Sequence, residues 1–335
     1  RRPDAMAGQR LSLAVDAGAL GANPLSRIAV FRPRAGQDLS ALPKEAVHVV
    51  QGFRPDHDAF VAAGYATSVA AEGRYDAAVV CVPRAKAEAR SLIAEATDLT
   101  DGGPVLVDGQ KEDGVESLLK DCRQRTEIEG TVSKAHGKAF WFEGGDFADW
   151  RSEGARRDVP GGFVTVPGVF SADGIDRGSA ALADALPAKV GRKVVDLGAG
   201  WGYLARAILE RESVEELHLV EAEHAALDCA RANVTDPRAR FHWADAAGFG
   251  PDGAYDAVVT NPPFHSGRAA DPSIGRDFIA AAARLLKPSG RLWLVANRHL
   301  PYERDARARF AEVREIAGDG AFKVIEAAKP RRGRR

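Results

Sequence analysis

Between Arg27 and Phe142, short apolar runs (RIAVF, AVHVVQGF, YDAAVVCVP and PVLVDG) alternate with longer stretches rich in Ala, Glu and Lys. Apolar runs of this length, bounded by turn formers, fit buried strands, and the stretches between them suit helices. The pattern predicts an α/β unit built on a mostly parallel sheet. A second series runs from Lys193 to Ala327 as KVVDLG, ELHLVE, RFHWAD, YDAVVTN, GRLWLVAN and FKVIEAA, with helical segments such as EHAALDCARAN between them. The same architecture is therefore expected twice, over residues 1–145 and 167–328. The intervening stretch GGDFADWRSEGARRDVPGG is rich in Gly and charge and poor in periodicity, so 146–166 reads as an interdomain linker.

The repetition reaches individual residues. Tyr75 to Arg84 (YDAAVVCVPR) aligns without gaps on Tyr255 to Phe264 (YDAVVTNPPF), which points to a duplicated domain. Cys81 stands where the second copy has Asn261, and Arg84 where it has Phe264. No Gly triplet follows the first strand of the early copy, AVFRPRAGQDLS. The first copy is read as having kept the fold and lost a site.

Length and composition agree with two ordinary domains: 335 residues, 45% hydrophobic and 28% charged, which excludes disordered, collagenous and coiled-coil classes. No apolar stretch approaches a membrane span and the first residues lack the apolar run of a secretory signal, so a cytoplasmic protein without a membrane partner is expected. Three widely spaced cysteines, Cys81, Cys122 and Cys229, exclude a disulfide framework and a Cys-based zinc site, and no metal is expected. Lys plus Arg number 46 against 47 Asp plus Glu, a formal net charge of -1, so composition shows no general attraction to nucleic acid. The exception is residues 329–335, KPRRGRR, a basic tail that is either solvated or an arm for phosphates. The oligomeric state is left open, with a monomer compatible.

The main candidate for chemistry is Val194 to Gly202, VVDLGAGWG, an apolar strand running into a Gly-rich turn with helix formers behind it. Gly198, Gly200 and Gly202 let a backbone turn sharply and approach a ligand closer than a Cβ allows, although such turns also serve packing. Tyr203 stands where a dinucleotide fingerprint needs its third Gly. Asp196, at the strand end, would repel a pyrophosphate but attract a cation. S-adenosylmethionine, with an ammonium and a sulfonium, fits that sign.

Two more acids follow at successive strand ends. Glu221 is suited to a ribose diol, or is a surface acid opening the next helix; Asp245 is suited to an adenine amine, or is a helix cap. The fourth strand ends in Asn261-Pro262-Pro263-Phe264-His265. Asn261 and the Pro262 carbonyl can accept hydrogen bonds from an amine on an aromatic ring and aim its lone pair. The prolines stiffen the turn, and Phe264 offers a face for a base.

In this order, DLGAGWG then NPPFH, the chain resembles class I S-adenosylmethionine-dependent methyltransferases acting on exocyclic amines, and specifically the two-domain guanine-N2 methyltransferases of bacterial ribosomal RNA, most closely the small-subunit type. The likeness extends to Pro167-Gly168-Val169-Phe170-Ser171, Ile175-Asp176-Arg177-Gly178-Ser179, Leu294 to Tyr302 and Phe322-Lys323-Val324. It implies two tandem Rossmann-like methyltransferase domains with seven-stranded, mostly parallel sheets. The N-terminal copy would be degenerate and serve to hold RNA or stabilise its neighbour. It also implies that Phe170 folds over S-adenosylmethionine, Asp196 to Gly202 hold its methionine end, Glu221 its ribose and Asp245 its adenine. Asn261, Pro262 and Phe264 would receive a guanine of ribosomal RNA or of the small subunit. Glu221 departs from the usual Asp but keeps a carboxylate for the diol. Adenine-N6 or protein glutamine methylation, and a non-catalytic assembly factor, are the alternatives.

Overall fold

A computed structural model describes residues 3–21, 23–266 and 269–331. The chain divides into two compact units, one through Arg156 together with Val166–Gly168, the other comprising Arg157–Thr165 and the chain from Val169 onward.

In the first unit seven strands, β1 (Ile28–Phe31), β2 (Val47–Val50), β3 (Ala66–Ser68), β4 (Ala77–Cys81), β5 (Pro104–Gln110), β6 (Gly130–Lys134) and β7 (Gly137–Glu143), form one sheet in the order β3-β2-β1-β4-β5-β7-β6. In the second, a hairpin of β8 (Arg157–Val159) and β9 (Phe163–Thr165) precedes β10 (Lys193–Leu197), β11 (Glu216–Glu221), β12 (Ala239–Trp243) and β13 (Tyr255–Thr260). After a short pair, β14 (His265–Ser266) and β15 (Ala269–Ala270), come β16 (Leu286–Asn297), β17 (Phe310–Gly318) and β18 (Phe322–Pro330). Its main sheet runs β12-β11-β10-β13-β16-β18-β17, the same order as in the first unit. In both sheets the pairings are parallel until the last two strands, which return antiparallel. Central strands buried on both faces explain why their sequences are continuous apolar runs rather than alternating ones.

The duplication is visible in details that no fold class requires. Asp76 accepts the backbone N–H of Arg27 at 2.9 Å, and Asp256 that of Lys193 at 2.9 Å. The cation following each bond lies over the equivalent ring, Arg27 at 4.5 Å from Tyr75 and Lys193 at 5.2 Å from Tyr255. Each feature ties the start of the first strand to the start of the fourth.

Residues 146–166 are not a free linker. The 3-10 turn Ala148–Gly154 packs on the helix Lys86–Leu99, and Trp150 is 1% exposed in the first core, its ring 5.0 Å from that of Phe147. The guanidinium groups of Arg90 and Arg125 lie over Trp150 at 5.1 and 4.7 Å, so flanking charge covers an aromatic anchor. The β8–β9 hairpin belongs to the second unit, where Phe163 packs edge-on against Trp201 at 4.9 Å and the Asn233 amide bonds both backbone groups of Val164. The first unit thus runs past 145, because two anchoring aromatics sit in an aperiodic, charged segment. At the other end β18 takes in Lys329 and Pro330, with Lys329 paired to Glu312. Of the basic tail, Arg332 to Arg335 lie outside the described residues. The three cysteines are buried.

Candidate active site

The central strand β10 carries Asp196 into the middle of the second sheet, in register with Leu219 on one side and Val259 on the other. Asp196 is 0% exposed, and neither carboxylate oxygen has a hydrogen-bond partner among the described residues. Burial, and then the neighbouring Glu221 charge, push its carboxyl up to about 8. A buried acid left without a donor is costly, and the chain itself supplies none here among the described residues.

Beyond Leu197 the backbone enters the left-handed region at Gly198 (φ 75°), Gly200 (φ 55°) and Gly202 (φ 97°). A Cβ on Gly202 would lie 2.9 Å from the Val234 side chain, so packing demands that glycine. A Cβ on Gly200 would meet nothing within 4 Å: its φ needs glycine, and the space above it is open. The Gly200 N–H is held by Glu221 Oε1 at 2.9 Å, while Glu221 Oε2 accepts the Glu223 N–H at 2.7 Å. Burial raises the Glu221 carboxyl, and these two donors oppose the rise.

A pocket opens beside this turn, with Gly198, Gly200, Trp201, Phe170, Asp176 and Asn261 among its walls. Phe170 is 57% exposed, and its carbonyl accepts Trp201 Nε1–H at 3.0 Å, which pins the 170 segment to the Gly turn. Asn261, at the end of β13, donates from Nδ2 to Asp176 Oδ2 at 3.0 Å and to Ser179 Oγ at 2.9 Å. Thr260 beside it is fully buried and donates to the Leu197 carbonyl at 2.6 Å, tying the end of β13 to the end of β10.

The structure thus brings Phe170, Gly198, Gly200 and Asn261 to one pocket. It does not bring the other expected residues to that wall. Asp196 and Glu221 lie beneath and beside the turn, and Gly202 opens the following helix, Tyr203–Leu209. Asp245 is exposed and caps the 3-10 turn Ala246–Gly248, accepting the Ala247 N–H at 3.3 Å. Pro262 is buried and Phe264 half-buried against the second core. The Phe264 carbonyl accepts the Asp271 N–H at 2.8 Å, closing the loop ahead of the helix Pro272–Leu285. The side chain of His265 lies outside the described residues. Asp176 and Ser179 enter the sequence reading only as part of the family likeness, without a role, and Trp201 only within the Asp196–Gly202 stretch expected to hold the methionine end. The signal that could have found the first two is Asp-x-x-Ser at a helix start, the helix being Arg177–Ala185.

Among the described residues no group of three or more His, Cys, Asp or Glu is placed to hold a metal, and no helix is long and apolar enough to cross a membrane.

Residues 161–326 match the model of the methyltransferase small domain. The chain is similar to the ribosomal RNA small subunit methyltransferase C of Hahella chejuensis, 32% identical over 234 residues that cover 66% of this chain and 68% of that protein. It is also similar to the ribosomal RNA large subunit methyltransferase G of Aeromonas salmonicida, 35% identical over 167 residues. That match covers 48% of this chain and less than half, 44%, of that protein. Among solved structures, the T. thermophilus 16S rRNA N2 methyltransferase RsmC in complex with AdoMet and guanosine superposes with a TM-score of 0.79 at 25% identity, covering 98% of this chain and 92% of that one.

Proposed function

The chain belongs to the ribosomal RNA small subunit methyltransferase C family, and from that premise we propose that it methylates the exocyclic N2 amine of a guanine in small-subunit ribosomal RNA, using S-adenosylmethionine. The observation that carries this reading is Asn261 sharing a pocket with the Gly198–Trp201 turn, beneath which Asp196 buries a carboxylate without a partner.

The residues present fit the cofactor. An orphaned acid next to a turn with open space above Gly200 suits a compact cationic group. Asp196 and the Gly198–Gly202 turn would hold its charged end, Glu221 its ribose and Asp245 its adenine, with Phe170 covering it. When bound, S-adenosylmethionine supplies a methyl group on a positively charged sulfur. Asn261 Oδ1 and the Pro262 carbonyl accept the two amine protons of the guanine, which draws the nitrogen lone pair out of conjugation with the ring. Phe264 gives the base a face to stack on. Once methylated, the nitrogen would pass its extra proton to solvent water, which requires no strong base. A paired guanine first leaves its stack, at a cost of a few kcal/mol. The first domain binds no cofactor and holds RNA or stabilises the second.

The test is labelled S-adenosylmethionine offered with naked ribosomal RNA, small subunits and large subunits, followed by nucleoside analysis. N2-methylguanosine from the small-subunit RNA is expected. Label only in N6-methyladenine or in protein would overturn the guanine reading, and no transfer at all would favour an assembly factor.

A further inference from the structure

An asparagine amide is useful to an incoming amine in only one of its two orientations. With Oδ1 toward the base it accepts the amine proton; turned by half a rotation it presents N–H to N–H and repels it. The last torsion of Asn is broad and roughly two-fold, so the side chain alone does not choose.

In this structure the choice is made by two residues of another segment. Both protons of Asn261 Nδ2 are taken, one by Asp176 Oδ2 at 3.0 Å and one by Ser179 Oγ at 2.9 Å. The reversed amide would set Oδ1 against a carboxylate oxygen, acceptor against acceptor. Asp176 is itself held, since the same Oδ2 accepts the Ser179 N–H at 2.8 Å as cap of the helix Arg177–Ala185. Ser179 is buried at 8% exposure, so the arrangement sits on a rigid helix start. A carboxylate accepting from an amide N–H also polarises that amide, which makes Oδ1 a better acceptor.

We propose that Asp176 and Ser179 are positioning residues that set the polarity of the Asn261 amide, presenting Oδ1 to the acceptor amine and strengthening it. This rests on the methyl-transfer reading above, and it assigns the helix start a part in the rate of transfer.

The test pairs two variants. Asp176→Ser combined with Ser179→Ala keeps a hydroxyl cap on the helix but leaves the Asn261 amide without either acceptor. Asp176→Asn keeps both the cap and an oxygen at the right reach. In single-turnover methylation of small subunits, the double variant is expected to lose ~10- to 100-fold in rate. Any change in its S-adenosylhomocysteine affinity should be much smaller than the loss in rate, and Asp176→Asn should recover most of the rate. A wild-type rate in the double variant would overturn the proposal, as would a loss matched in full by weaker cofactor affinity.

A second readout needs no substrate. The side-chain amide resonances of Asn261, identified by their absence in Asn261→Ala, should be fixed and shifted in the wild type and solvent-like in the double variant. Unchanged resonances would overturn the positioning role. If the wild type methylates no guanine while the resonances collapse as expected, it is the substrate reading that fails.

Discussion

Arg32 in the first domain and Gly198 in the second occupy the same left-handed turn, with φ of 59° and 75°. Each donates its backbone N–H to a carbonyl at the equivalent position near the end of the neighbouring strand, Arg32 to Val50 at 2.9 Å and Gly198 to Val220 at 2.8 Å. The path of the backbone has been kept and its contents exchanged. By strand register Val30 stands at the position of Asp196, and Gln51 at that of Glu221. Gln51 Oε1 still accepts the N–H two residues on, from Phe53 at 2.9 Å, but it also takes Arg32 Nη1 at 3.0 Å. At the position of Asn261, the Cys81 thiol is buried and pushed up to about 12, with Gln37 donating to its sulfur.

One consequence is a stoichiometry. Calorimetric titration of the whole chain with S-adenosylhomocysteine should give one site per chain, because the first domain has lost the acid and filled its turn with an arginine. Two sites, or one site that survives Asp196→Ala, would refute the assignment.

Gly200→Val and Asp196→Ala should each abolish cofactor binding in a folded protein. At Gly200 the left-handed φ costs a Val about 1–2 kcal/mol, while its side chain projects into the open space above the turn. At Asp196 an unpartnered buried carboxyl is removed, so the melting temperature should hold or rise even as affinity disappears. Unchanged affinity would make the turn structural.

Protons should accompany the cofactor. The Asp196 carboxyl lies at about 8 in the folded chain against 3.8 for a free group. Between those values the folded chain keeps a proton that the unfolded chain has lost. The stability due to this group is therefore full below pH 3.8 and is lost as pH rises through 8. A cationic ligand prefers the ionised acid, so affinity should rise with pH up to about 8 and binding at neutral pH should release protons. Titrations in buffers of different ionisation enthalpy measure that release, and Asp196→Asn should remove it.

Asn261 and Phe264 should divide chemistry from capture. Asn261→Ala removes an interaction made only when the base is in place, so the transfer rate should fall with cofactor affinity kept. Phe264→Ala removes a stacking face worth ~1–3 kcal/mol and should weaken RNA capture. Single-turnover rates beside S-adenosylhomocysteine affinities check both; wild-type transfer by Asn261→Ala would move the active site elsewhere.

Trp150→Ala should destabilise the first domain by ~3–5 kcal/mol, as for other buried large-to-small changes, and leave cofactor affinity intact. Urea unfolding of the full chain reads this out, and a change within error would return 146–156 to the status of a linker.

What the sequence determined by itself was whatever is written in neighbouring residues. Strands buried on both faces appear as apolar runs, so the central parallel strands of both sheets were legible, whereas the more exposed β3, β6 and β17 were not. The Gly turn after β10 and the Asn-Pro-Pro-Phe turn after β13 were legible because each is written in a few consecutive positions. Tertiary structure alone decided that Trp150 anchors the first core, since an aromatic in a charged, aperiodic stretch carries no period to read. It also decided that Trp201 pins Phe170, 31 residues earlier in the chain. The orientation of the Asn261 amide belongs to the same class. Its partners lie 85 and 82 residues earlier in the chain, and the residue type is the same whichever end of the amide faces the base. Hydrogen-bond polarity between distant segments follows from the path of the folded backbone, and no local pattern of residues encodes it.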